Sequence, residues 1–230
     1  MKSKAAIFAS AFVIGLSGAM MPGPLLTACI GYAAERGFLA GGPLLVLGHA
    51  LLELALVVLV LAGIGPLLSR PRVGAAIGFV GGAVLLWMGQ GMTTAALAGL
   101  SLAPGEPGGR AALLASPVLA GAVISLANPY WSLWWATIGL KYVALSRESA
   151  TAGVAAFYCG HQLSDAAWYF LVAGAVALGR KAIPDAAYRW LIGVCGLMLV
   201  AFAACFILGA IRTLARASRA LPKVPTPSAG

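Results

Sequence analysis

Hydrophobic residues gather along this chain in six long runs, at about 5–34, 38–68, 73–97, 116–142, 150–179 and 185–213, with short polar or glycine- and proline-containing connections between them. Each run exceeds the roughly 20 residues that a helix needs to cross about 30 Å of hydrocarbon, with some to spare for tilt. The pattern predicts an all-α polytopic membrane protein with six transmembrane helices. The longest hydrophilic connection, 98–115, contains Pro104-Gly105-Glu106-Pro107-Gly108-Gly109 and reads as a loop between two three-helix parts, 1–97 and 116–213. Residues 214–230 are basic and then proline-containing, the pattern of a disordered cytoplasmic tail.

Inside two of the runs the polar residues repeat. Gly48-His49-Ala50-Leu51-Leu52-Glu53 returns 112 positions later as Gly160-His161-Gln162-Leu163-Ser164-Asp165. These segments hold both histidines and two of the six acidic residues, and the His-to-acid spacing of four puts each pair on one helix face. An ionised acid at a helix centre costs roughly 2.5–3.5 kcal/mol on insertion scales, so such residues are functional candidates. The repeat extends further: Ala40-Gly41 matches Ala152-Gly153 at the same offset, Ile77-Gly78 and Gly81 match Ile192-Gly193 and Gly196 at 115, and Ile30-Gly31 matches Ile138-Gly139 at 108. Three crossings per half is an odd number, which turns the second half upside down. A 3+3 inverted repeat is expected, with a small-molecule site where the halves meet near the midplane.

Prolines point to the same place. Met21-Pro22-Gly23-Pro24 interrupts the first run and Asn128-Pro129 the fourth, so Pro22, Gly23, Pro24 and Pro129 are expected to break their helices. Unpaired backbone at membrane depth is tolerated only where protein or a water-lined cavity satisfies it. Half-helices starting near Leu25 and Tyr130 would aim positive dipole ends into such a cavity. A plain proline kink explains either motif alone; two at matching places favour a site.

Composition and charge narrow the picture. With 61% hydrophobic and 9% charged residues, no soluble domain fits beside the six runs. The +9 net charge forms no basic stripe, which argues against a nucleic-acid partner, and the bilayer is the expected environment. Ten Lys and Arg, including Lys4, Arg72 and Lys223, fall on one side of the six-helix arrangement and five, including Arg36 and Arg189, on the other, so both termini are expected in the cytoplasm. Met1 to Met20 also looks like a secretory signal with Ser17-Gly18-Ala19 as its cleavage site, but five runs and the matching proline motif argue for a retained first helix. Cys29, Cys159, Cys195 and Cys205 show no paired spacing and read as small apolar residues. No nucleotide-binding loop is present, so the chain itself is not expected to use ATP.

Pro22-Gly23-Pro24, the glycine-rich second helix and Asn128-Pro129-Tyr130-Trp131-Ser132-Leu133-Trp134-Trp135-Ala136-Thr137-Ile138-Gly139 together resemble the LysE/RhtB superfamily, most like a branch with an Asn-Pro-Tyr aromatic motif. The resemblance covers essentially the whole chain. It implies a non-enzymatic secondary transporter, a six-helix inner-membrane exporter of amino acids driven by an ion gradient, with no cofactor. It does not carry over a substrate, because the lysine and homoserine exporters of the superfamily do not share the His/acid pair in both halves. Redox carriers of the superfamily need a cysteine at each broken helix, where this chain has prolines and Asn128.

Three readings compete for His49, Glu53, His161 and Asp165. Burial disfavours the charged form of both acid and histidine, which suits proton exchange, with H⁺ as coupling ion. A neutralised pair in each helix could instead lock the halves together. The same four residues could surround a divalent cation, making the chain a cation exporter, although no metal-binding sequence pattern supports this. Trp131, Trp134 and Trp135 share a helix face that can line a cavity or cradle an ammonium, or simply anchor at the interface. Asn128, Gln162 and Ser164 are polar groups at depth, suited to substrate or to bonds across helices. Trp87 and Trp190 read as interfacial anchors. The expected partners are an amino-acid substrate and lipid, and the sequence leaves open whether the chain forms a homodimer.

Overall fold

The computed structural model describes residues 3–68, 70–99, 116–179 and 184–219. All regular structure among them is helical. The expected loop with Glu106 and the tail beyond Arg219 lie outside the described residues.

The first run is two helices, α1 (Lys4–Ala19) and α2 (Pro24–Arg36), bent by 80°. The break has a local cause. Gly23 is fully extended (φ −156°, ψ −174°), and Pro24 occupies the first turn of α2, where its missing N–H costs nothing. Gly37 (φ 84°) then turns the chain in a conformation that side chains avoid. The second run is one apolar stretch, Ala40–Leu67, with α3 (Leu45–Leu59) at its centre, π-helical turns at Ala40–Leu44 and Val60–Ile64, and a last short helix α4 (Gly65–Leu68). The third is α5 (Pro71–Leu97).

The fourth run also breaks, as α6 (Pro117–Ala127) and α7 (Pro129–Trp134), continuing through a π-helical turn at Trp135–Gly139 into α8 (Leu140–Arg147). Asn128 is extended because Pro129 disfavours helical geometry in the residue before it. The fifth is α9 (Ala150–Gly179), 30 residues and so about 45 Å long. Its polar centre keeps it out of the set of helices that are apolar enough to span by hydropathy alone. The sixth is α10 (Asp185–Arg219). Among the described residues, three single helices and the bent first pair are long and apolar enough to cross a bilayer. Side chains such as Val80, Leu171, Trp87 and Trp190 are left exposed on the outside, as in a multi-pass membrane protein.

Packing follows small residues, which let backbones approach where lipid supplies no hydrophobic drive between helices. α1 lies along α9, α3 along α6, and α5 along α10. Gly160 of α9 sits against the Phe8 carbonyl of α1, and Gly48 of α3 against the Val118 carbonyl of α6, so neither position has room for a Cβ. Gly41 and Gly153 likewise abut the backbone of the preceding helix. Other matched glycines part company. Gly81 rests on Pro129 while Gly196 rests on Gly89 and Thr93, and Gly31 faces open space while Gly139 meets the Trp135 ring. The matched sequence there reflects two different packing jobs.

Replacing Gly48 or Gly160 by Ala should lower stability by about 1–3 kcal/mol, because a methyl must push two backbones apart. Gly31→Ala should be neutral or better. Thermal unfolding in detergent checks this, and equal behaviour of the three variants would contradict it.

Candidate functional site

Two helices bring the repeated signature together. His49 and Glu53 stand one turn apart on α3, His161 and Asp165 one turn apart on α9, and all four are at most 5% exposed. Rather than two separate pairs, they form one cluster. His49 Nε2 lies 3.2 Å from Glu53 Oε1 and 3.7 Å from Asp165 Oδ2, while His161 Nε2 lies 3.0 Å from Glu53 Oε2 and 3.6 Å from the same Asp165 oxygen. Each histidine therefore faces the acid of its own helix and the acid of the other.

Glu53 is the centre of this cluster. Trp131 Nε1 and Trp135 Nε1 both donate to its Oε1, at 2.8 and 2.7 Å, and Gln162 Nε2 donates to Oε2 at 2.6 Å. Spacing of four puts the two indoles on one face, as the sequence suggested. Trp134 takes another course and stacks on His161, with ring centroids 4.6 Å apart and planes at 16°. Phe157 stacks parallel to His161 at 6.0 Å and Trp135 meets it edge-on, so an aromatic box surrounds that imidazole. Such faces favour a positive ring.

His49 is held differently. Its Nδ1 is 2.8 Å from Ser125 Oγ, and Ser125 gives its own hydroxyl hydrogen to the Gly121 carbonyl at 2.7 Å. Ser125 must then accept from His49 Nδ1–H, which leaves Nε2 pointing at the acids. Tyr158 ties α9 to α3 through a 2.8 Å bond to the Ala50 carbonyl.

The helix breaks border the cluster. An opening is lined by His49, Glu53, His161, Asp165, Asn128 and Trp131, with Leu25 of α2. A neighbouring one shares Leu25, Asn128 and Tyr169 and reaches Pro22, Gly23 and Pro24. The two breaks are thus adjacent: a Cβ on Gly23 would lie 3.8 Å from Asn128 Nδ2. Their helix starts differ. Asn128 Oδ1 accepts from Tyr130 N at 3.0 Å and so caps α7, whereas α2 has no side-chain cap. Pro129 itself is buried under α5.

The LysE type translocator model matches residues 16–210, most of the chain and every part of this cluster. The chain belongs to this family. No curated protein and no solved structure matches it. Members of the family are transporters rather than enzymes, so a cavity within a membrane-spanning bundle is where a LysE translocator would hold its small-molecule cargo.

The translocator's sequence named every residue of the quartet, with Trp131, Trp135 and Gln162, but it hid Ser125. The available signal was that Ser125 is the one polar side chain within α6. A cation is a weaker occupant than the residue types suggest. Ligand atoms of His49, Glu53 and Asp165 lie within 4.8 Å of one another, yet both Glu53 oxygens already accept N–H bonds. Cys29, Cys159, Cys195 and Cys205 are free thiols.

Removing one donor from Glu53, by Trp131→Phe or Gln162→Ala, should cost about 1.5–3 kcal/mol, the range for hydrogen bonds to charged acceptors. Trp87→Phe, at an exposed ring, should cost nothing measurable. Denaturation of the three variants side by side provides the comparison.

Proposed function

We propose that this LysE translocator is a secondary exporter that moves an amino acid or similar small zwitterion out across the inner membrane in exchange for protons, with both termini in the cytoplasm. One observation carries the reading. Four buried ionisable side chains from the two halves converge beside two broken helices and open onto a cavity. A lock between helices needs no cavity, and a cation would have to compete with three N–H donors for Glu53.

The same observations support a 3+3 inverted repeat. Exchanging the halves turns the α1–α9 pairing into α6–α3 and leaves α5–α10 as it is. Gly160 on Phe8 becomes Gly48 on Val118. In this reading the substrate carboxylate takes the uncapped start of α2, where first-turn amides are open, and the ammonium takes the acidic cluster. Asn128 caps α7 through its oxygen, and of its polar atoms only Nδ2 can donate to the carboxylate.

Counterflow in proteoliposomes with a panel of amino acids, beside Zn²⁺ and Cd²⁺, tests the function. Amino-acid exchange is expected; exchange of the metal ions alone would give the site to cations. Pro22→Ala and Asn128→Ala should insert normally, because insertion depends on summed hydrophobicity, and lose most transport. Cysteine labelling should find positions 4, 72 and 223 cytoplasmic and position 106 outside; a cytoplasmic position 106 would remove the inverted repeat.

A further inference from the structure

The two acids of the cluster occupy matching places in the sequence and unlike places in the structure. Glu53 accepts from Trp131, Trp135 and Gln162, and an indole N–H or an amide NH₂ can only donate. Of the about four lone-pair sites of a carboxylate, these donors leave a proton only the one on Oε2 that faces His161. Asp165 is equally buried and lines the same cavity as Glu53, but its Oδ2 has no hydrogen-bond partner.

The histidines differ in the same way. Ser125 fixes His49 with its Nε2 lone pair toward Asp165 Oδ2 and Glu53 whenever the ring is neutral. Two acceptors and a lone pair meeting at one point require a proton or a cation among them. At the offset of 110 that relates Phe8 to Val118, Ser125 corresponds to Gly15, which packs against His161 Nδ1 and gives it no partner. The second half thus supplies all three donors and the hydroxyl that immobilise Glu53 and His49, whereas the first-half positions matching Gln162 and Ser125, Ala50 and Gly15, return nothing of the kind to Asp165 and His161.

We propose that the cluster works asymmetrically: Glu53 is a permanently ionised positioning residue that holds both histidines, and Asp165 is the one carboxylate that exchanges a proton for the substrate's ammonium. The assignment rests on the exporter reading above. Open to the cytoplasm, Asp165 releases its proton there and its carboxylate receives the ammonium. Open to the outside, the ammonium leaves and an external proton takes its place. One proton enters for each zwitterion that leaves, and only the Asp165 O–H bond is made or broken.

Titratable groups reach Asp165 from several elements. His49 and Glu53 come from α3, His161, Tyr158 and Tyr169 from its own helix, Cys29 from α2 and Tyr130 from α7. Among the described residues α1 and α6 face it with none. The two histidines are the groups near enough to relay the proton.

Infrared difference spectra of the full chain in nanodiscs, acidic minus alkaline, read protonated buried carboxyls directly. We expect one titrating band, absent in Asp165→Asn and retained in Glu53→Gln. Glu53→Gln disturbs three bonds, so Trp131→Phe combined with Trp135→Phe supplies a second arm. That variant keeps the carboxyl, removes two donors, and should show an additional titrating band as Glu53 becomes able to take a proton. A band that persists in Asp165→Asn, or no added band in the double variant, overturns the division of roles. These spectra need no substrate. Absence of counterflow with every amino acid overturns the exporter reading and the ammonium step with it, while the infrared pattern alone decides between Glu53 and Asp165. In active liposomes, Asp165→Asn should lose proton-driven export.

Discussion

A carboxylate inside a membrane bundle must be surrounded by donors, and the need to satisfy Glu53 organises much of this protein. Ionising an acid at that depth costs roughly 2.5–3.5 kcal/mol. Each N–H bond to a charged acceptor returns about 1.5–3 kcal/mol, so two of them already offset the cost. Glu53 draws three, from Trp131, Trp135 and Gln162. Those donors sit on α7, on the π-helical turn that continues it and on α9, so a single side chain joins α3 to two other parts of the bundle.

That arrangement works only because the helices can approach closely. With Gly48 and Gly160 against backbone carbonyls, α3 and α9 each press on a partner helix, and their polar faces turn toward each other. Around the polar centre lie two apolar clusters, one with Leu45, Ile124 and Tyr169 and one with Trp134, Trp135 and Phe157. They leave the four side chains at most 5% exposed, which strengthens the cluster's internal electrostatics and makes any unpaired polar atom costly. Asp165 Oδ2 is such an atom, and it borders the cavity.

The helix breaks have a division of labour that follows from one residue. Asn128 can cap the helix that follows it and Gly23 cannot. One break is consequently closed and rigid, and the other leaves amides open beside the cavity. The cavity bordered by both breaks therefore has two unlike edges.

Much of this was legible in the chain. Run lengths gave the helical membrane architecture, because a bilayer sets a minimum length that composition alone can meet, and proline chemistry located both breaks to within a residue or two. The repeated His/acid spacing named the cluster, since polar groups at depth are too costly to be incidental. The resemblance to the LysE/RhtB superfamily agrees with the family match. What the sequence alone did not reveal was how equals become unequal. Periodicity puts His49 beside Glu53 and His161 beside Asp165, but only the packing of α3 on α9 merges them, and only the fold brings Ser125, 76 residues away, onto His49 Nδ1. Likewise, nothing in a spacing of four says that Trp131 and Trp135 both bond Glu53 while Trp134 turns to His161. Helix formation and membrane insertion depend on local sums along the chain; the direction of a hydrogen bond depends on which two surfaces meet.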